Sequence, residues 1–228
     1  MTMPNGTKKN IPILIAAIAG AIATLILRRM PPVVRAIRPI MDIPHAMLLA
    51  VAILCIFSVY WSAAAKDSKP AASSESTASR QLHLFLVNGG VLLLFLSIPG
   101  LTRRFLPAGP IFPALGIAIE LAGFALAVWA RRALGSNWSG EVRIATGHQL
   151  VRTGPYKHIR HPIYTAILGM YFGIMLASGE LHAVIAFVVI TLAYLRKIRM
   201  EETVLAAAFG EEFASWRRDS WALAPPLY

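Results

Sequence analysis

His148-Gln-Leu-Val-Arg-Thr-Gly-Pro-Tyr-Lys-His-Ile-Arg-His-Pro-Ile-Tyr164 is a concentrated polar segment in an otherwise apolar chain. It gathers three His, two Arg, one Lys and two Tyr into 17 residues of a chain that is 57% hydrophobic, and it stops at a proline from which a long apolar run departs. Gly154-Pro155 predicts a turn, because Gly tolerates unusual dihedrals while Pro fixes its own φ and pushes the residue before it out of the helical region. Pro162 suits the first turn of a helix, where its missing N–H costs nothing, with His161 as a polar lead-in. The pattern is a polar loop, folded on itself, that feeds directly into a membrane helix.

The 228 residues have a mean hydropathy of +0.61 and only 14% charged residues, a composition for a chain dissolved mainly in lipid. The expected fold is an all-α, polytopic transmembrane helical bundle of about six spans. A single cysteine, Cys55, excludes an intramolecular disulfide and reads as a small buried apolar residue. The net charge of +11 is explained by cytoplasmic Lys and Arg and by anionic lipid headgroups, so membrane lipids are expected partners and nucleic acid is not.

Outward from the stretch, the apolar runs set the spans. Ile11–Leu27 is the first, flanked by Lys8-Lys9 and by Arg28-Arg29, and reads as a retained span and not a cleaved signal. Pro44–Ala65 is the second, with Tyr60-Trp61 as an interfacial anchor. Lys66–Ser79 reads as a flexible loop, which divides a variable front section, residues 1–81, from a core of residues 82–228. Leu82–Leu101 and Ile111–Ala130 are the third and fourth spans, and residues 131–161 form the polar loop. Pro162–Ala177 and Leu181–Leu195, joined by Ser178-Gly179-Glu180, are an antiparallel hairpin. Arg196–Trp221 mixes apolar and charged residues at helical spacing, the mark of a helix that leaves the membrane and lies along its surface. With both termini on one side, that side receives 16 of the 22 Lys and Arg, which predicts a cytoplasmic polar loop and cytoplasmic termini.

Lys197 and Glu201, four residues apart, share a helix face, while Arg199 and Glu202 point away from it. A cation and an acid beside a His- and Tyr-bearing loop can grip a zwitterion, although the plainer reading is a surface ion pair worth a few tenths of a kcal/mol. His148, His158 and His161 have neither Cys nor an HExxH frame around them, so no metal site is expected. Glu120 is alone in the fourth span; an acid there is either functional or a partner in a helix–helix hydrogen bond.

Four motifs carry a resemblance. Leu134-Gly135-Ser-Asn137-Trp138-Ser139, then His148-x-Leu150-Val151-x-x-Gly154-Pro155-Tyr156-x-x-x-Arg160-His161-Pro162-x-Tyr164, then Glu201-Glu202-x-x-Leu205, then Phe209-Gly210-Glu211-Glu212-Phe213 together resemble the isoprenylcysteine carboxyl methyltransferase family and its phospholipid methyltransferase relatives, over about residues 111–221. The resemblance implies S-adenosylmethionine as methyl donor in a cytoplasm-facing pocket, with a lipid-like acceptor entering from the bilayer. Its donor-binding residues carry over as His148, Gln149, Leu150, Val151, Tyr156, His161, Pro162, Ile163, Tyr164 and Glu201, with Glu141 at one further contact. The residue types agree with the chemistry: adenine takes backbone N–H and C=O partners, a sulfonium suits aromatic faces, and an ammonium suits a carboxylate.

The prenylcysteine enzymes carry an Arg for the substrate carboxylate where this chain has Lys197, a point charge without a bidentate fork. Lys197, helped by Arg199, is expected to steer a negative head group, and methyl transfer to a carboxylate needs alignment and no general base. An amine acceptor has to lose a proton, for which His161 and Glu202 are the nearest candidates, so Lys197, Arg199 and Glu202 form the expected catalytic set. N-methylation of a phospholipid amine is the first alternative. An NADPH-dependent membrane reductase of similar architecture is a second, although those reductases typically carry Asn where this chain has Pro162; a small transporter is the third.

Overall fold

The computed structural model describes residues 45–64, 76–96, 98–135 and 150–225, and the expected span Ile11–Leu27 lies outside them. Among the described residues the chain is all-helical: α1 (His45–Ala64), α2 (Thr77–Leu93), α3 (Ile111–Leu134), a 3-10 turn (Gly154–Lys157), α4 (Pro162–Ser178), α5 (Leu181–Phe209) and α6 (Glu211–Arg218). The helices α1, α3 and α5 are long and apolar enough to cross a membrane, with mean hydropathies of 2.2, 2.1 and 1.8. Their exposed side chains, such as Val59, Ile111 and Leu192, are apolar, as a lipid-facing surface requires. Cys55 belongs to that surface: it is exposed on α1 and not buried as expected, since a small apolar side chain gains no more from the core than from lipid.

The 17 residues of α4 are shorter than a bilayer core, yet almost all are buried, so this is the central helix. Its close partner is α3. A Cβ on Gly116 would stand 2.4 Å from the carbonyl oxygen of Gly173, one on Gly173 2.4 Å from that of Gly116, and one on Gly123 2.7 Å from that of Ala166. Small residues at this spacing let two backbones touch, which is how helices associate when lipid is as apolar as their side chains. Glu120 lies in the same contact, 0% exposed, and neither of its oxygens has a hydrogen-bond partner among the described residues. Of its two readings, the helix–helix hydrogen bond is not made among the described residues.

Two boundaries differ from the sequence reading. Helix α2 runs from Thr77 to Leu93 where a span over Leu82–Leu101 is expected. Ser76 fixes its start by accepting from the Ser79 N–H at 3.3 Å, and residues 94–96 unwind it through i→i+3 bonds ahead of Pro99. At the other end of the chain, α5 does not stop at Leu195 but continues to Phe209, because nothing between Arg196 and Phe209 breaks a helix. The expected surface helix over Arg196–Trp221 is therefore the outer half of α5, a break at Gly210 (φ 51°), and α6.

The hairpin between α4 and α5 is as expected, with Gly179 in the left-handed region (φ 65°) as the cap of α4. Residues 101–106 brace it: the N–H of Leu181 donates to Arg103 (3.1 Å), that of His182 to Leu101 (3.0 Å) and that of Phe105 to Gly179 (3.0 Å), while Arg104 donates to the Ser178 carbonyl (3.2 Å). The far end of the central helix is thus pinned.

Replacing Gly173 by Ala should cost about 1–3 kcal/mol, the range for overpacking, and lower the thermal midpoint in detergent. Gly169→Ala, where a Cβ meets nothing within 4 Å, should leave it within experimental error. Equal effects at the two positions contradict backbone contact between α3 and α4.

Candidate functional site

The site is built at the end of α4 opposite the pinned hairpin. Gly154 (φ 57°) and Pro155 make the expected turn, which closes when the Tyr156 N–H donates to the Thr153 carbonyl at 3.1 Å. Pro162 opens α4 with His161 as its N-cap residue, and the Thr165 N–H and hydroxyl both donate to the His161 carbonyl, at 3.0 and 3.2 Å. This places His161 and Tyr164 on the first turn, stacked at 5.5 Å between centroids and 9° between planes.

The outer half of α5 meets that turn with two consecutive acids. Side chains one residue apart on a helix diverge by about 100°, and the two carboxylates take different partners. Glu201 accepts from the Tyr164 hydroxyl at 3.1 Å and lies 3.3 Å from His161 Nδ1. Glu202 is buried, 6% exposed, accepts from Arg160 Nε at 2.8 Å, and lies 3.3 Å from His161 Nε2 and 3.7 Å from Arg217 Nε. Both ring nitrogens of His161 therefore face carboxylates, the environment of an imidazolium that donates from each. Burial alone lowers the proton affinity of this ring, but hydrogen bonds and charge from Glu201 and Glu202 outweigh it and hold the His161 pKa above its ordinary value. Burial also pushes the Tyr156 hydroxyl well above its usual pKa, with the Glu201 charge acting in the same direction and Arg131 against it.

Of the other expected residues, Pro162 and Ile163 are buried and Leu150 and Val151 pack against the core, while Glu141, His148 and Gln149 lie outside the described residues. Tyr156 is buried, and its carbonyl accepts from Trp216 Nε1 at 3.2 Å. Lys197 lies 6.0 Å from the Tyr164 ring centroid, on the Glu201 side. Arg199 is exposed and is not brought to that face; its neighbour Arg196 is turned the other way, with its guanidinium on Ser79 of α2 at 2.6 Å. No group of three or more His, Cys, Asp or Glu is placed to hold a metal among the described residues.

Further neighbours of the site have no role assigned from the sequence, among them Arg160, although it stands in the quoted motif. Arg160 holds Glu202, Tyr194 packs on Tyr164 at 5.2 Å, and His83 of α2 packs edge-on against Tyr194 at 5.1 Å. Tyr194, Lys197 and Glu201 at i, i+3 and i+7 were a legible helical stripe. Another is the strap after α6, where the N–H groups of Arg160 and His161 donate to the carbonyls of Trp221 (2.8 Å) and Ala222 (3.0 Å), and that of Trp221 donates to His158 (3.0 Å).

A raised His161 pKa gives stability that is fully present below the unfolded value of about 6.5 and is lost as pH rises through the folded value. The thermal midpoint of the native protein should therefore exceed that of His161→Gln most at acid pH, and the gap should narrow steadily toward pH 9. A gap that widens with pH contradicts an imidazolium held by two acids.

Residues 111–212 match the model of the phospholipid methyltransferase family. Over 55 residues, 24% of this chain and 33% of the other, the sequence is 34% identical to the uncharacterized protein YpbQ of Bacillus subtilis (strain 168). The structure is similar to that of the eukaryotic intramembrane Ras methyltransferase, isoprenylcysteine carboxyl methyltransferase, with a TM-score of 0.47 and 19% identity over 66% of this chain and 52% of that one. The chain thus spans about one third of the curated relative and about half of the solved protein. The family match takes in α3, the loop through His161, α4 and the Glu201–Glu202 end of α5.

Proposed function

We propose that the chain transfers a methyl group from S-adenosylmethionine to the polar head of a membrane amphiphile. The observation that carries this reading is Glu201, presented between the Tyr164 hydroxyl and the His161 ring beside stacked aromatic faces, inside the segment that matches the methyltransferase family. A carboxylate suits the donor's ammonium and aromatic faces suit its sulfonium. On this reading Leu150, Val151, Tyr156, Pro162, Ile163 and Tyr164 shape the donor pocket, with His148, Gln149 and Glu141 completing it. The donor supplies a methyl group already activated on sulfur, so the protein's part is alignment and exclusion of water.

The acceptor we favour is an anionic head, a carboxylate first, with its tail in the bilayer. Lys197 beside Tyr164 is a cation in position to steer it, and such an acceptor requires no base. His161, with both nitrogens on carboxylates, and Glu202, held by Arg160, are poor proton acceptors as placed. The second reading, N-methylation of a phospholipid amine, is favoured by the description of the matching family. The polar loop and both termini belong on the cytoplasmic side, by the count of 16 Lys and Arg.

Calorimetry in detergent should detect S-adenosylmethionine and its demethylated product, and Glu201→Gln should weaken binding by about 1.5–3 kcal/mol, as for a hydrogen bond to a charged group. No binding at millimolar ligand sinks the proposal. Methyl transfer to prenylcysteine, fatty-acid and aminophospholipid acceptors then separates the two readings, and Lys197→Ala should impair turnover of the acidic acceptors while leaving donor affinity within about twofold.

For orientation, Ala207→Cys in a Cys55→Ala background should react with an impermeant thiol reagent only after the cytoplasmic face is opened, and Ala108→Cys should react without that step. The reverse pattern overturns the assignment.

A further inference from the structure

Arg160 stands behind the candidate donor residues. It is 6% exposed, and its guanidinium has more partners than any side chain it serves: Nε donates to Glu202 Oε1 at 2.8 Å, and one terminal nitrogen donates to the Arg217 carbonyl at 3.2 Å, to the Ser220 hydroxyl at 3.3 Å and to the Ser220 carbonyl. The Glu202 oxygen it holds is the one that faces His161 Nε2. One carboxylate oxygen therefore lies between a guanidinium that is fixed to the strap and an imidazole that is in contact with Glu201. Among the described residues, the groups facing the His161 ring are Glu201 and Glu202 from α5 and Tyr164 from α4, with Arg160 and Arg217 on the other side of Glu202 and Lys197 near Glu201.

We propose that Arg160 is a positioning residue of the donor site: by locking Glu202 to the strap after α6 it fixes the His161 ring against Glu201 and tempers how firmly that ring keeps its second proton. The role in methyl transfer rests on the function proposed above; the clamp itself does not. The strap is then part of the site, because the guanidinium is seated by carbonyls of Arg217 and Ser220 and the loop backbone by those of Trp221 and Ala222. Arg160 and the His161 ring share one oxygen of Glu202. Removal of Arg160 leaves Glu202 less compensated and raises the proton affinity of the ring.

The test is a titration of the full chain in detergent, without donor, following the ring carbons of the six histidines by NMR and identifying His161 from the signal missing in His161→Gln. In Arg160→Gln the His161 midpoint should rise by about one pH unit. In Arg160→Lys, which keeps a charge but loses the fork that spans Glu202 and Ser220, it should rise by less. A wild-type midpoint in Arg160→Gln overturns the proposal, and if that protein does not fold, a wild-type midpoint in Arg160→Lys does so. Since no donor is present, an unmoved midpoint counts against Arg160 alone, and absence of donor binding in calorimetry counts against the proposed function alone.

Discussion

Two carboxylates on consecutive residues of one helix, met by two cations on consecutive residues of a loop, are the constraint on which the rest of this structure depends. Arg160–Glu202 and His161–Glu201 converge at the N-terminal end of α4, where the helix dipole also favours negative charge. Buried charge is costly to create and costlier to leave half-paired; loss of one partner of such a pair typically destabilises by about 3–5 kcal/mol. The loop, α5 and the strap must therefore arrive together. This explains why residues 158–161 are bonded to Trp221 and Ala222 by backbone, and to Arg217 and Ser220 through the Arg160 side chain.

The same geometry separates the roles of the two acids. Glu202 is consumed by Arg160, His161 and Arg217, and reads as scaffold, whereas Glu201 is tied only to groups that also border the aromatic faces of Tyr164 and Tyr194. On the proposed function, a donor ammonium adds a partner to Glu201 without breaking the cluster. On the same reading, a site whose described residues present an ionised acid, a ring held between two carboxylates and no available base is suited to an acceptor that is already nucleophilic, which is the physical reason for ranking a carboxylate ahead of an amine.

What was legible in the sequence was local. Gly154-Pro155 and Pro162 constrain their own backbone, and Ser178-Gly179-Glu180 leaves too little chain for anything but a hairpin, so turn, helix start and hairpin could be read directly. What was not legible depends on residues far apart in the chain. The partner of Arg160 is 42 positions away, and the bridge from Ile159 to Trp221 has no pattern in either segment alone. The continuation of α5 beyond Leu195 was missed because the switch from apolar to charged residues marks where a helix leaves lipid and not where it ends. Arg199 was grouped with Lys197 by proximity in sequence, although two residues along a helix turn a side chain to nearly the opposite face.

The two ends of α4 are held by different means, and the difference has a consequence for the site. At the hairpin the clamp is backbone hydrogen bonding from residues 101–106; midway it is direct contact of Gly116 with Gly173, which admits no side chain; at the site it is the buried ion pairs. A slip of α4 along α3 by one residue displaces it by about 1.5 Å, enough to break both 3.3 Å contacts of His161 and to move Tyr164 off Glu201. Glycine at 116 and 173 therefore sets the register that aligns acid, ring and cation, at positions away from the candidate site. Alignment is what methyl transfer from an activated sulfonium asks of a protein, so on the proposed reading a methyl group added at that helix contact should cost turnover as well as stability.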